Sequence, residues 1–339
     1  MIKVINIDTE KFKNTNVGKR MLNDPLGFFD VGSLGGIHPI ADDMSKFLNV
    51  ACFEPNKIEI EKIKKDPKNT KYNKVLFCKN ALSNKKGIEE LYITKLPTNA
   101  SLLKPSKKFI KRYNAINFEI LKKLKIETTT IDLICKTEEF KNQYKPEFIK
   151  LDTQGTEYEI LEGAKINLNK TTTAILCEVS FFKLYEKQKF LHDICSLLYK
   201  YGFKLYGLYP NYRSTQMMSK NDFEYEERLI WGDAVFFWDP FDEHVKNITP
   251  RRIDSLLIST IILGYYDFSL EINEKYNKNH KDKKIVKKLI EKFAKERKKY
   301  VDQKIKKITS GNIDINSIYH ILDEISFNSS HEKPLKINV

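Results

Sequence analysis

The sequence predicts an α/β protein built around a doubly wound, Rossmann-like sheet. Short apolar runs alternate with helical patterns through most of the first 240 residues of the 339-residue chain. Two of these runs, near residues 28–36 and 148–155, end in an acid that is followed by a glycine turn. Open sheets bind ligands beyond the carboxyl ends of their strands, so we expect both junctions at one ligand site.

Seven apolar runs fit the strands of this sheet, and helical patterns separate several of them. The strands are predicted at 27–31, 50–53, 75–78, 148–151, 174–179, 203–209 and 234–238, and the helices at 40–48, 56–65, 156–168 and 188–201. This alternation predicts a mostly parallel sheet with right-handed crossovers.

The interval 84–146 is too long for a single crossover helix. It contains a strand-like run at 89–94, a polar loop at 98–106 and a lysine-rich stretch near 107–124 that is predicted to be helical. We expect this insertion to lie over the cofactor crevice and to shape a substrate site.

Three parts are predicted along the chain: a lead-in at 1–27, a main domain at 28–242 and a basic helical extension at 243–339. The formal net charge is +14, and residues 275–308 alone hold 15 Lys/Arg against 4 Asp/Glu. The extension is predicted to begin with an apolar helix at 251–270. A second, amphipathic helix at 281–308 would place on one face Ile285, Val286, Leu289, Ile290, Phe293, Tyr300, Val301, Ile305 and Ile308.

The lysines of this second helix are compatible with three roles. They form the solvated face of a packed helix, or contact an anionic membrane or polysaccharide, or bind nucleic acid. Nucleic acid is the least expected partner, because the segment has one arginine and few aromatic residues. The apolar stripe is also compatible with a homo-oligomer.

Cysteine usage and hydropathy predict a soluble, cytoplasmic protein. The five cysteines show no CxxC pairing, which favours reduced thiols. The N-terminus lacks a hydrophobic signal region, and the most apolar late run, at 256–266, is too short to span a bilayer.

The first glycine loop departs from a dinucleotide fingerprint. A GxGxxG motif that begins at Gly32 would need glycine where Leu34 and Ile37 stand. What remains is Asp30 two residues before Gly32, with Gly36 four residues further on. This pattern suits a cationic ligand without phosphate, and S-adenosylmethionine (SAM), which joins a sulfonium, an amino acid and a nucleoside, fits it.

Polar residues also follow the second and third predicted strands. Glu54 is placed to accept both hydroxyls of a ribose, although an exposed acid before a turn proline remains an alternative. Asn80 and Ala81 follow the third strand, where an adenine ring would lie; a plain turn asparagine is the alternative.

Asp152 and Glu178 lie at the ends of neighbouring strands. Together they could orient a hydroxyl, take its proton or share a divalent metal, but no His/Asp spacing supports a metal, so none is predicted. His38 is a further candidate base, or else a residue that starts a helix. On the substrate side we expect Gln154, Glu157, Tyr185 and Gln188.

These motifs, taken in order, resemble the FkbM family of SAM-dependent methyltransferases over about residues 28–238. The segment IKLDTQGTEYEILEG carries the resemblance best, and FDVGSLGGI, FEPN, NALS, EELYIT, NASLL, TTTIDLI, ILCEV and WGDAVFF follow the family's order. Leu34 and Pro39 depart from its pattern, and Gln154 replaces the commoner glutamate.

The resemblance implies a seven-stranded sheet whose last strand runs antiparallel, and methyl transfer from SAM, mostly to oxygen. By match, Asp30, Gly32 and Gly36 would line the SAM loop, Glu54 would hold the ribose, Asn80 and Ala81 would lie by the adenine, and Asp152 would sit at the reaction centre. The leading hypothesis is O-methylation of a sugar, glycan or sugar nucleotide. A nucleic-acid methyltransferase and a non-catalytic scaffold with the same fold are the alternatives.

Overall fold

The structure is a computed structural model that describes residues 9–141, 143–218 and 225–309. The strands in these ranges are β1 (Leu26–Val31), β2 (Leu48–Phe53), β3 (Lys74–Cys78), β4 (Ala81–Leu82), β5 (Gly87–Thr94), β6 (Ile120–Thr129), β7 (Phe148–Leu151), β8 (Ala174–Ser180), β9 (Phe203–Arg213) and β10 (Arg228–Trp238).

The α-helices in the same ranges cover both faces of the main sheet and include the C-terminal extension. They are α1 (Thr9–Lys13), α2 (Asn16–Asn23), α3 (Lys57–Lys64), α4 (Lys107–Arg112), α5 (Ile131–Ile134), α6 (Glu157–Glu162), α7 (Lys165–Lys170), α8 (Leu191–Tyr199), α9 (Pro250–Ile262), α10 (Tyr266–Tyr276) and α11 (His280–Thr309). Short 3-10 helices occur at Pro39–Phe47, Pro67–Lys71, Pro97–Asn99 and Ile116–Phe118.

The main sheet has seven strands in the order β3-β2-β1-β7-β8-β10-β9. β10 is antiparallel to both of its neighbours, and the other pairs are parallel. The direction of winding reverses between β1 and β7, where a crevice opens at the carboxyl edge. All seven predicted strands occur, and the predicted Rossmann-like class is confirmed.

The central strands are buried along most of their length because helices cover both faces of the sheet. β1 and β2 are buried at every position. Phe29 of β1 packs against Phe53 of β2 with ring centroids 5.3 Å apart, and both contact Phe140 on one face. These contacts fix the strand ends that carry Asp30 and Glu54.

The insertion forms a separate three-stranded sheet in the order β4-β6-β5. The strand at 89–94 is confirmed within β5, but the helix predicted near 107–124 is wrong in its second half. α4 ends at Arg112, and Asn114 has a left-handed backbone (φ 49°). Residues from Ile120 onward pair antiparallel with β5, with Leu124 opposite Leu91. Cross-strand pairing therefore outweighed the helical propensity of the lysines.

Several helix boundaries also differ from the sequence pattern. The segment 40–48 is a 3-10 helix that starts at Pro39, and 156–168 is split between α6 and α7 at Gly163. A Cβ at Gly163 would lie 2.4 Å from the Ser83 carbonyl oxygen, so the chain turns there where β4 approaches. The helix predicted from 188 begins only at Leu191.

The C-terminal helices share the core of the main sheet. Arg251 of α9 contacts the buried Glu147 just before β7, with Nε and Nη2 each 2.6 Å from a carboxylate oxygen. Arg20 of α2 binds Asp254 through two nitrogens at 2.6 and 2.8 Å. The domain boundary at 243 stays a prediction, although the helices that follow it pack against the main sheet.

The apolar face of α11 is used within the chain. Val286, Leu289, Ile290 and Phe293 are buried in the common core, whereas Ile285 is 44% exposed and does not share that face. The side chains of residues 305 and 308 lie outside the described part of the helix. The apolar helix predicted at 251–270 is divided into α9 and α10. None of the described helices combines the length and apolar character that crossing a bilayer requires.

Candidate active site

A cavity of about 560 Å³ opens at the carboxyl edge of the parallel strands. Its volume lies in the range that holds a cofactor-sized ligand. The residues that follow β1, β2 and β3 line one half, and those at the ends of β7 and β8 and on β10 line the other. The predicted site residues among them are Gly32, Glu54, Asn80, Ala81, Asp152, Gln154 and Glu178.

Glu54 marks the first half of the cavity. Its Oε1 accepts a hydrogen bond from the Asn56 backbone N–H at 2.8 Å, and the residue is buried. Burial raises the pKa of Glu54 to about 7, in spite of this bond and of the charge of Lys150. The carboxyl group therefore titrates near neutral pH.

Gly32 joins the two halves because β1 and β7 approach each other there. Its φ is +80°, and a Cβ at this position would lie 1.9 Å from the Asp152 carbonyl oxygen. Only glycine permits this approach. Gly36 also has a positive φ, but it does not line the cavity.

Asp30 lies beneath the cavity rather than in its wall. It is fully buried, and its Oδ2 accepts the His38 backbone N–H at 2.6 Å. Its Oδ1 lies 3.3 Å from the Lys150 ammonium group. Burial raises the pKa of Asp30, and the Lys150 charge opposes that rise. The Asp30 side chain thus holds the glycine loop through the His38 backbone and does not line the cavity.

Lys150 is a site residue that the sequence reasoning missed. It lies in the strand position next to Asp30 and is buried. Its ammonium group donates to the Gly32 carbonyl oxygen at 3.0 Å and lies 3.7 Å from Asp152 Oδ2. The sequence did offer a signal for Lys150, because it stands inside an otherwise apolar strand that ends in an acid. A buried lysine needs a partner of opposite charge.

Gln154 connects the two predicted catalytic acids. Its Nε2 lies 3.1 Å from Asp152 Oδ1 and 3.3 Å from Glu178 Oε2, and its Oε1 accepts from the Tyr185 hydroxyl at 3.0 Å. The backbone of Gln154 is left-handed, with φ of 59°. The structure therefore brings Asp152 and Glu178 together through one amide.

A third carboxylate, which the sequence reasoning also missed, extends this pair. Asp233 of β10 is directly opposite Glu178 in the antiparallel ladder, and it lines the cavity. Trp231 lies two residues earlier on the same face of the strand and lines the cavity as well. In the sequence, Trp231 and Asp233 could have been found from the motif WGD, which stands at the start of the last apolar run.

Glu157 supports the turn after β7 and does not line the cavity. Its Oε1 accepts the backbone N–H groups of Thr153 and Gly155 and the Thr153 hydroxyl, at 2.8, 3.2 and 3.0 Å. Burial raises the pKa of Glu157 to about 7. The expectation that Glu157 faces a substrate is not met by this geometry, because three hydrogen bonds direct its side chain into the turn.

Tyr185 and Gln188 are likewise buried and lie outside the cavity lining. Gln188 Oε1 accepts the backbone N–H of Leu184 and Tyr185, and its Nε2 donates to Ser180 Oγ at 2.7 Å. This bonding holds the segment after β8 against the sheet. Tyr185 reaches the site only through its hydroxyl, so direct substrate contact by either residue is not supported.

His38 is the candidate base that the fold places elsewhere. Its Nδ1 accepts the Ile40 backbone N–H at 3.3 Å, so the ring caps the 3-10 helix that follows the glycine loop. His38 does not line the cavity. The alternative interpretation, a residue that starts a helix, agrees with this geometry.

The insertion forms the wall opposite the strand ends, as its length suggested. Leu91 and Ile93 of β5 and Leu124 and Ile126 of β6 present an apolar face to the cavity. The loop at 97–102 continues this wall, and Ser101 Oγ donates to the Gln154 carbonyl oxygen at 2.7 Å. The insertion is thereby attached to the turn that holds the acids.

No group of three or more His, Cys, Asp or Glu side chains in the described ranges is arranged to hold a metal ion. The three acids at the strand ends lie side by side along the sheet edge instead of converging on a point.

A sequence comparison with known families matches residues 40–205 to the methyltransferase FkbM domain. Over these residues the chain is similar to the FkbM methyltransferases. The matched range runs from the 3-10 helix after β1 to the start of β9, and it includes Glu54, Asn80, Asp152 and Glu178. A comparison with curated protein sequences finds no match.

Solved structures similar to this chain are also methyltransferases. Methyltransferase FkbM from Methylobacillus flagellatus KT matches 63% of this chain and 44% of its own, at 13% identity and a TM-score of 0.34. Magnesium protoporphyrin IX methyltransferase (ChlM) from Synechocystis PCC 6803, solved with bound SAM, matches 68% of this chain and 80% of its own, at 9% identity and a TM-score of 0.32. Precorrin-6y C5,15-methyltransferase from Geobacter metallireducens GS-15 matches 65% of this chain and 87% of its own, at 10% identity and a TM-score of 0.29. These similarities are too low to decide function.

Proposed function

We propose that the protein transfers a methyl group from SAM to a hydroxyl oxygen of a carbohydrate-type acceptor. One observation carries the proposal: the same cavity is lined by Glu54 and Asn80 on one side and by a row of carboxylates at the switch point on the other. A methyltransferase domain needs a cofactor half and an acceptor half in this adjacent arrangement.

The residues of the first half fit SAM. A buried carboxylate at Glu54 accepts hydrogen bonds, as the two hydroxyls of a ribose require. Gly32 brings the glycine loop into the lining of this half. Asn80 and Ala81 line the wall beyond Glu54, where the base would lie.

The carboxylates of the second half act on the acceptor. When bound, SAM supplies a methyl group activated by a sulfonium. Asp152 and Glu178 accept the hydrogen bond of the acceptor hydroxyl and take up its proton as the oxygen bonds to the methyl carbon and the carbon–sulfur bond breaks. Such proton removal contributes about 10²–10⁴-fold in rate, and the orientation of oxygen and methyl contributes more.

The test is transfer of labelled methyl from SAM to a panel of monosaccharides, sugar nucleotides and fractionated cell extract. We expect label in carbohydrate fractions. Asp152→Ala is expected to keep the Kd for SAM within about tenfold and to abolish transfer. Label released by nucleases would favour a nucleic-acid acceptor, and SAM binding without any transfer would favour a scaffold. No SAM binding would contradict the proposal.

A further inference from the structure

An asparagine in the wall of the cavity has a side-chain nitrogen with no hydrogen-bond partner among the described residues. Asn99 is 2% exposed, and its Nδ2 makes no hydrogen bond with the described residues. Asn99 lines the cavity, as does its neighbour Thr98, whose buried Oγ1 is also without a partner there. A buried amide without partners costs about 1–3 kcal/mol, so its presence calls for a ligand.

The backbone around Asn99 is held in place by its own hydrogen bonds. Its carbonyl oxygen accepts from the Tyr185 hydroxyl at 3.0 Å. Ser101 exchanges backbone hydrogen bonds with Tyr92 of β5 and donates its hydroxyl to the Gln154 carbonyl. These bonds fix the backbone position from which the Asn99 side chain projects into the wall of the cavity.

The same contacts place Asn99 at the reaction end of the cavity. The Tyr185 hydroxyl lies 3.0 Å from the Asn99 carbonyl oxygen and 3.0 Å from Gln154 Oε1, and the amide of Gln154 bridges Asp152 and Glu178. Asn99 is therefore linked to the acids through Tyr185 and Gln154, and we assign the ligand that it faces to the acceptor.

We propose that Asn99 binds the acceptor by donating a hydrogen bond to a second oxygen beside the hydroxyl that reacts. This inference rests on the proposed function. The carboxylates receive the proton of the reacting hydroxyl, and a lone pair of that oxygen points at the methyl carbon. The Asn99 amide must therefore donate its hydrogen bond to a different oxygen of the acceptor. The acceptor class is a vicinal diol, as in a sugar or cyclitol ring.

The chain offers a matched control in Asn49. It is also buried, but its Nδ2 donates to the Gln143 carbonyl at 2.9 Å and its Oδ1 accepts from Asn73 at 2.7 Å. It lies at the start of β2, away from the cavity. Asn49→Ala removes a satisfied amide and is expected to lower the urea midpoint while leaving ligand binding unchanged. Asn99→Ala and Asn99→Leu are expected to keep or raise the midpoint.

Binding is measured by saturation-transfer NMR with two probes, trans-1,2-cyclohexanediol and cyclohexanol, with and without S-adenosylhomocysteine. The wild-type protein is expected to bind the diol about tenfold more tightly, as one good hydrogen bond allows. Asn99→Ala and Asn99→Leu are expected to lose that preference, and Asn49→Ala to keep it. With an acceptor identified, the Asn99 variants should raise its KM and leave the Kd for SAM unchanged.

Three results would overturn the inference: no diol preference in the wild type, the same preference in the Asn99 variants, or a midpoint loss in them as large as in Asn49→Ala. Weaker S-adenosylhomocysteine binding with an unchanged diol preference would assign Asn99 to the cofactor instead. Failure of the wild type to bind S-adenosylhomocysteine contradicts the proposed function alone, because the diol comparison on the free protein still decides the role of Asn99.

Discussion

The ammonium group of Lys150 lies 3.3 Å from Asp30 Oδ1, and both side chains are buried where the sheet changes its direction of winding. The same lysine donates to the Gly32 carbonyl and approaches Asp152. One cation therefore fixes the glycine loop after β1 relative to the acid after β7. Gly32 and Asp152, the two residues that this cation brings together, both line the cavity.

Lys150→Met is expected to destabilise the fold by about 3–5 kcal/mol, because it leaves a buried carboxylate without its cation. The loss should grow with pH. Burial raises the pKa of Asp30, and without Lys150 the pKa rises further, so folded Asp30 stays protonated while unfolded Asp30 ionises above about pH 4. Urea unfolding at pH 5.5 and 8 measures this.

The double variant Lys150→Met/Asp30→Asn provides the control. With no carboxylate to neutralise, it is expected to recover part of the stability at pH 8 and to lose the added pH dependence. Equal losses in single and double variants would show that Lys150 acts through packing and not through Asp30.

Gln154→Leu is expected to leave the Kd for SAM within about threefold and to lower the rate of methyl transfer at least tenfold, on the scale of general acid–base effects. The change removes the amide that donates to both Asp152 and Glu178. Gln154→Glu should add a like charge and move the acid limb of the pH–rate profile to higher pH.

Single-turnover transfer measured between pH 6 and 9 separates these effects. Gln143→Glu, on the surface beside Lys74, makes the same chemical change away from the cavity and should leave the profile unchanged. An unaltered profile in Gln154→Glu would contradict a role for the amide in holding the acids.

SAM binding is expected to weaken as the pH falls from 8 to 6. Burial raises the pKa of Glu54 to about 7, so the carboxylate that we propose as the acceptor of the ribose hydroxyls is mostly protonated at pH 6. The Kd should rise about tenfold over this range. Calorimetric titration measures it, and Glu54→Gln should bind weakly at pH 8 with little further change. A flat profile in the wild type would remove Glu54 from the ribose contact.

The helices at 250–309 are expected to unfold together with the sheet. Tryptophan fluorescence reports on β10, which carries Trp231 and Trp238, while far-UV circular dichroism reports on all helices. The two urea transitions should coincide. Arg251→Met should lower the free energy of unfolding obtained from each signal by about 3–5 kcal/mol, because Glu147 is left buried without a cation. A second transition seen only by circular dichroism would instead support a separate domain after 243.

The main sheet could be predicted because its signals are local. The strands 50–53, 75–78 and 148–151 are short apolar runs. Such a run can be recognised in the sequence without knowing which strand it pairs with. The helix predicted near 107–124 failed because its lysines permit a helix and a strand alike. Pairing between Leu91 and Leu124, which are distant in sequence, decided the outcome.

The candidate site shows the same division. Glu54, Asn80 and Asp152 were found because each directly follows a strand, and the fold places them around one cavity. Tyr185 and Gln188 were expected at the substrate, but the packing of the segment after β8 turned them inward. Asn99 and Asp233 were missed although they stand in the motifs NASLL and WGDAVFF, because a loop asparagine and a strand acid are common and only the fold brings them to the cavity.

By itself, the sequence determined the class of fold, the order of its strands along the chain and the acids at the strand ends, because hydrophobic periodicity and turn residues act over a few positions. Only the tertiary structure decided which polar groups meet. Lys150 was paired with Asp30, Gln154 was set between Asp152 and Glu178, and Asn99 was left facing the cavity. Those relationships depend on strand order, register and loop contacts between residues far apart in sequence, and burial then determines which charges and hydrogen bonds are strong.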